Sequence, residues 1–138
     1  MKQRFRYSVC DPFKPDVIEM GEIEKERIMD VFEKFPWESL LAQMHNKSED
    51  EIHYSPSLEI ENIDTKHGVT LSVVGEESQY EFYLFYKRPK RVKSFFGLRE
   101  KLDENFMSDI TGQTKEDARK AIQSLLSGNT EYLEEKIK

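Results

Sequence analysis

The sequence predicts an α+β fold in which helices at both ends of the chain flank a central antiparallel sheet. From Ile52 to Phe96, apolar and polar residues alternate and turn residues fall at regular intervals, which is typical of consecutive antiparallel strands. On either side of this stretch the apolar residues recur at helical spacing. We therefore expect about four meander strands over roughly residues 52–96, N-terminal helices over 22–46 and C-terminal helices over 114–137.

Length and charge limit the class of protein. A chain of 138 residues is expected to form a single domain over residues 1–138. Acidic residues outnumber basic ones by 27 to 21, and the resulting net charge of −6 opposes nonspecific attraction to nucleic-acid phosphates. Charges interrupt every apolar run, so we expect neither a secretory signal nor a membrane span. The prediction is a cytoplasmic protein, and Cys10, the only cysteine, cannot form an internal disulfide.

The N-terminal third is expected to hold a short strand and two helices. Phe5, Tyr7 and Val9 predict the strand, and an extended segment containing Pro12 and Pro15 should then cover an edge or a face of the core. Three glutamates, Glu22, Glu24 and Glu26, are expected in the first turns of the first helix, where the helix dipole favours negative charge. A proline then ends that helix and begins the second, because a first helical turn does not need its missing amide hydrogen. This proline is Pro36, and the apolar faces are Ile28, Val31, Phe32 and Phe35, then Trp37, Leu40, Leu41 and Met44.

Matching the apolar faces of neighbouring strands predicts how the hairpins pair. A slip of one residue would send every apolar side chain to the wrong face of the sheet. Placing Leu58 opposite Val69, and Val73 opposite Tyr80, keeps one face continuously apolar. The connecting turns are then expected at residues 62–65 and 75–78.

The region that follows is expected to contain a turn, a strand and a short helix. Pro89 cannot donate a hydrogen bond within a central ladder, so we expect a third turn at residues 87–90 and a fourth strand at Arg91–Phe96. Residues 98–112 are compatible with a loop, but Leu102 and Phe106 have helical spacing and indicate a short helix.

The C-terminal residues carry helix boundary signals. Thr114 is a good N-cap residue, with acidic residues in the turn that follows, and Gly128 is a typical C-terminal stop. Asn129 and Thr130 can then cap a short final helix.

No motif in the sequence requires a particular chemistry. His45, His53 and His67 lack zinc-binding spacing, so neither a metal nor a cofactor is predicted. His67 is expected to pack at the end of a strand against Tyr86 and Ile60. If the protein were an enzyme for a small molecule, His67, Glu59 and Glu61 would be its candidate residues, although their spacing selects none of them.

The segment from Tyr80 to Phe96 is the least ordinary in the chain. Even-numbered residues there face the predicted core, whereas Tyr83 and Phe85 point to the opposite face, where a one-sided sheet carries polar groups. Either another part of the chain covers these two rings, or they form an exposed patch that binds a partner.

Five basic residues follow these aromatic residues within seven positions: Lys87, Arg88, Lys90, Arg91 and Lys93. Aromatic and basic residues together are used to bind single-stranded nucleic acids. A basic hairpin turn is also an ordinary solvated feature that discourages pairing between sheet edges.

The leading hypothesis is a non-catalytic cytoplasmic protein that binds another protein, or a second copy of itself as a homodimer, through its sheet surface. The predicted contact residues are Tyr83, Phe85 and the basic turn at 87–93. The alternatives are weak nucleic-acid binding through the same turn and a small-molecule enzyme.

Overall fold

The protein, described as a computed structural model over residues 3–94 and 99–138, has a six-stranded sheet in the order β2-β1-β3-β4-β5-β6. Every neighbouring pair of strands is antiparallel. The predicted α+β class is confirmed, with six strands in the sheet rather than about four. The elements are β1 (Phe5–Cys10), β2 (Ile18–Ile23), α1 (Lys25–Lys34), α2 (Trp37–Met44), a 3-10 turn (Glu49–Glu51), β3 (Ser57–Asn62), β4 (Gly68–Glu76), β5 (Gln79–Ser94), β6 (Arg99–Gln113), α3 (Lys115–Ser127) and α4 (Thr130–Lys136).

The core lies between one face of the sheet and the helices. Alternate side chains of the strands are buried there, as the period of two predicts, and each helix adds buried apolar residues to the same cluster. The largest buried side chain, Trp37, meets the edge of Phe82 with ring centroids 5.2 Å apart. The members of the core are Phe5, Leu58, Ile60, Val69, Leu71, Val73, Phe82, Leu84 and Tyr86 from the strands, and Ile28, Phe32, Trp37, Leu41, Ala118, Ala121, Ile122, Leu125, Leu133 and Ile137 from the C-terminal and N-terminal helical regions.

The N-terminal segment joins the sheet as a hairpin. The strand predicted around Tyr7 is confirmed as β1, which covers the edge of β3 by pairing with it. The prediction that the first helix starts at residue 22 is wrong, because residues 18–23 pair with β1 as strand β2. Alternating glutamates suit a solvent-facing edge strand as well as a first helical turn, and only Glu26 lies in the first turn of α1.

Helix boundaries elsewhere follow the sequence signals. The first two helices meet at Phe35 and Pro36, as predicted. Thr114 caps α3 in a capping box with Asp117, and Gly128 ends the helix with a left-handed φ of 74°. No helix within the described ranges combines the length and the apolar character that a membrane crossing requires.

Both predicted hairpin registers are wrong by two residues. Leu58 lies opposite Leu71 rather than Val69, and Val73 lies opposite Phe82 rather than Tyr80. A slip of two residues leaves every side chain on its predicted face, so face matching does not detect it. The first connection is therefore longer than predicted, and the second is a tight turn at residues 77–78.

The turn predicted at residues 87–90 is wrong, because β5 continues through it to Ser94. Pro89 is tolerated there for two reasons. The last pair between β4 and β5 is Gly68 with Lys87, so no β4 residue lies opposite Pro89, and on its other side β6 bulges. Consequently the predicted fourth strand at residues 91–96 is the outer part of β5 as far as Ser94, and its remainder lies outside the described residues.

The short helix predicted within residues 98–112 is also wrong, because β6 occupies residues 99–113. The four-residue spacing of Leu102 and Phe106 resembled a helix. In the structure, the two side chains are separated by the bulge in β6 and pair with different residues of β5, Arg91 and Arg88.

Candidate functional site

One face of the sheet carries no described helix, and we call it the helix-free face. The buried strand residues lie on the other face, where they pack against all four helices. The strand residues that alternate with them point to the helix-free face. Three of the predicted contact residues, Tyr83, Phe85 and Lys87, lie on the helix-free face of β5.

Five apolar side chains lie on this face of β4, β5 and β6, among polar side chains such as Ser72, Thr70, Asp109 and Lys87. Tyr83 and Phe85 are half-buried, and Val74, Leu102 and Met107 are 38%, 47% and 50% exposed. Leu102 lines a cleft with Lys87, which places it on the same face. We call these five residues the apolar strip. Three of the five large hydrophobic residues that are exposed among the described residues belong to it.

A buried carboxylate lies beside the apolar strip and is neutralised by two cations. Glu61 Oε1 accepts a hydrogen bond of 2.8 Å from Arg6 Nε, and its Oε2 lies 3.0 Å from Lys87 Nζ. The side chain of Glu61 is only 8% exposed. Burial by itself raises the pKa of Glu61, but the hydrogen bonds from Lys87 and Arg6 outweigh it and hold the pKa below its ordinary value. Lys87 is therefore committed to an internal ion pair.

The polar groups around Cys10 satisfy one another. Glu59 accepts hydrogen bonds of 3.4 Å from the hydroxyls of Ser8 and Thr70. Burial and the nearby Glu59 raise the pKa of Cys10, which keeps its thiol protonated. This environment is unfavourable for a thiolate nucleophile.

The five predicted basic residues do not share one surface. Because side chains alternate along a strand, neighbouring residues of β5 point to opposite faces, and Arg88 lies under the helices while Lys87 does not. Lys90 Nζ lies 3.6 Å from Glu134, a residue of α4. Arg91 and Lys93 are exposed on the outer part of β5, beyond the end of β4.

Arg88 is a buried structural cation. Its guanidinium makes two parallel hydrogen bonds to the Glu134 carboxylate, at 3.0 and 2.9 Å, and Nη1 donates to Tyr86 O at 2.9 Å and to Ser108 Oγ at 2.6 Å. It also stacks between the rings of Tyr86 and Phe106, 4.3 and 4.7 Å from their centroids. With a side chain only 3% exposed, Arg88 is not accessible to a partner.

The three candidate catalytic residues lie on opposite faces of the sheet. The predicted packing of His67 against Tyr86 is confirmed by a hydrogen bond of 2.7 Å between His67 Nδ1 and the phenol oxygen. Burial lowers the pKa of His67 and raises that of Tyr86 to about 12, so both groups are neutral at pH 7. Glu59 and Glu61 lie on the helix-free face, so they do not form a common site with His67.

Sequence reasoning missed the partners of Lys87 and Arg88. Each partner lies far away in the chain, Glu61 on another strand and Glu134 on the last helix. The alternation of side chains along β5 could have shown that Lys87 and Arg88 lie on opposite faces of the sheet and have different partners. Within residues 3–94 and 99–138, no group of three or more His, Cys, Asp or Glu residues is arranged to hold a metal ion.

Compared with models of known families, with curated proteins and with solved structures, the chain has no match.

Proposed function

We propose that the protein is a non-catalytic, cytoplasmic polypeptide-binding protein that docks through its helix-free face, and that its occupant is a second copy of this chain. The observation that carries the proposal is the apolar strip. Apolar side chains that are grouped on one face become favourable to bury when a partner covers that face.

The strip continues to an open edge of the sheet. β6 is the last strand, and among the described residues no other strand pairs with its outer side. Its fifteen residues contain no proline, so its free backbone groups can form hydrogen bonds with a further strand. Pairing of this edge with the same edge of a second copy forms a closed twofold dimer in which the strip residues of β6, Leu102 and Met107, lie next to the partner.

The outer part of β6 carries charges of both signs, in the order Arg99, Glu100, Lys101, Leu102, Asp103, Glu104. A twofold axis pairs each residue with one that points to the same face, so antiparallel pairing centred on Leu102 places Lys101 of each copy opposite Asp103 of the other and Glu100 opposite Glu104. Opposite charges across a strand pair stabilise it by roughly 0.2–1 kcal/mol.

Nucleic-acid binding through residues 87–93 has less support. The buried Arg88 and the internally paired Lys87 leave Lys90, Arg91 and Lys93 as the exposed cations of this group, and Lys90 lies close to Glu134. A backbone-binding groove requires several cations in one row.

Light scattering after size exclusion, over a range of protein concentrations at low and high salt, tests the proposal. We expect a dimer that the double variant Leu102→Lys, Met107→Lys converts into a folded monomer. Val17→Lys, Met20→Lys is the matched control, because these residues are equally exposed, at 51% and 50%, next to and within the opposite edge strand β2. A wild-type monomer under every condition, or equal effects of the two variants, contradicts the proposal.

A further inference from the structure

A small cavity lies on the helix side of the sheet, between the β3–β4 connection and the junction of α3 with α4. Its volume is about 200 Å³, room for roughly seven water molecules at ~30 Å³ each. Its walls are Gln3, Asn62, Thr65, His67, Ser124, Leu125, Gly128, Thr130 and Leu133. None of the apolar strip residues contributes to it, so the cavity is separate from the proposed docking face.

Two buried polar side chains line this cavity, and each has one polar atom without a hydrogen-bond partner among the described residues. Asn62 is 3% exposed, and its Oδ1 accepts hydrogen bonds from the backbone amides of Asp64 and Thr65 at 2.9 and 3.1 Å. These two bonds fix the orientation of the side-chain amide and leave the Nδ2 donor without a described partner. Ser124 is 8% exposed, and its Oγ also has no described partner.

Both of these atoms remain accessible. In the described part of the chain, every side-chain nitrogen or oxygen that is sealed from solvent has a hydrogen-bond partner. Asn62 Nδ2 and Ser124 Oγ therefore each keep some accessible surface, and the cavity is the space that both side chains line. A buried donor or hydroxyl that lacks a protein partner is costly unless a ligand or water satisfies it.

The described walls of the cavity carry no charged side chain, in a chain whose residues are 35% charged. Among these described wall residues, His67 is the only titratable one, and burial lowers the pKa of His67. The nearby Arg88 and Glu134 neutralise each other in their own ion pair. The described walls therefore supply no counter-charge to an ion, which disfavours a charged ligand to the extent that the cavity buries it.

We propose that this cavity binds a small uncharged molecule with an amide group, such as a carboxamide or a cyclic amide. The carbonyl oxygen of the ligand accepts a hydrogen bond from Asn62 Nδ2, because Asn62 Oδ1 is already occupied by two backbone amides. The amide N–H donates to Ser124 Oγ, and the apolar part of the molecule rests on Leu125 and Leu133. The volume accommodates a single ring or a comparable group.

The test is a titration of the full chain followed by amide nuclear magnetic resonance. The probes are nicotinamide and uracil, and the matched control is nicotinate, which has the size of nicotinamide but carries a negative charge. We expect saturable shifts for at least one neutral probe, centred on residues 62–67 and 124–130, and much weaker binding of nicotinate.

Two variants separate ligand binding from structural effects. Asn62→Asp keeps the acceptor that holds the loop but removes the donor, and Ser124→Ala removes the hydroxyl; each should weaken binding about five- to tenfold. Gln123→Ala, a change at an exposed position of the same helix outside the cavity walls, should leave binding unaltered. The inference is overturned if neither neutral probe saturates, if nicotinate binds as well as nicotinamide, or if the Asn62 and Ser124 variants bind normally, since the cavity then holds water only.

Discussion

Replacing Glu134 with Gln should destabilise the protein strongly, although the residue lies on a short surface helix. The change keeps the shape of the side chain but leaves the buried Arg88 guanidinium without its counter-charge. Removing one partner of a buried ion pair costs about 3–5 kcal/mol. Because the Glu134 side chain is itself 40% exposed and partly screened by water, we expect a loss of about 3 kcal/mol, at the lower end of that range.

The matched control is the same substitution at the next residue of α4. The Glu135 side chain is 81% exposed, and its partner, Lys138, is also largely exposed. Glu135→Gln should therefore change stability by less than about 0.5 kcal/mol. Urea unfolding followed by circular dichroism and by the fluorescence of Trp37 measures both variants. If Glu134→Gln costs no more than Glu135→Gln, Arg88 does not depend on its partner and the reasoning is refuted.

Three further predictions concern pH, backbone geometry and capping. The pKa of Glu61 is lowered in the folded state, so the stability that its carboxylate contributes is present above its unfolded pKa and is lost as the pH falls through the folded pKa. Unfolding measured between pH 6 and about 3 should therefore show less acid destabilisation in Glu61→Gln than in the wild type. Equal slopes of stability against pH in the two proteins would contradict this. Gly75→Ala should cost roughly 3 kcal/mol or more in thermal unfolding, because φ is +128° and a Cβ atom would lie 2.7 Å from a backbone oxygen. Gly112→Ala, at φ +68° with Glu81 Oε2 in ordinary contact at 3.8 Å, should cost about 1–2 kcal/mol, and a similar loss in both variants would show that the close approach is unimportant. Thr114→Ala should cost about 1 kcal/mol in urea unfolding by removing the α3 cap, and no loss would mean that the cap is replaced.

The fold class and the composition of each sheet face could be predicted because they depend on local periodicity. The alternation around Leu71 and Leu84 requires only neighbouring residues, and the signals at Thr114 and Gly128 lie within one or two helical turns. Register was not predictable to better than two residues, since slips of two preserve the faces. Whether Pro89 ends a strand or lies within one depends on where the neighbouring strand β4 ends, and local sequence patterns do not contain that information.

The candidate sites depended still more on distant contacts. Tyr83 and Phe85 were placed on the correct face by alternation alone. Arg88 is buried because Glu134, 46 residues later in the chain, supplies its counter-charge. Local sequence does not contain that contact, so the five basic residues between 87 and 93 are predicted to form one surface. The cavity joins Asn62 to Ser124 through the packing of a loop against two helices, and neither residue lies in a recognisable motif.

Hydrogen–deuterium exchange at low and high protein concentration tests the central claim, that the helix-free face and the β6 edge receive a second copy of the chain. If a second copy docks there, raising the protein concentration slows exchange in β6 around Leu102 and Met107, while the backbone of α1 and α2 exchanges at an unchanged rate. Exchange that is independent of concentration in β6, or new protection confined to the helices, would contradict it.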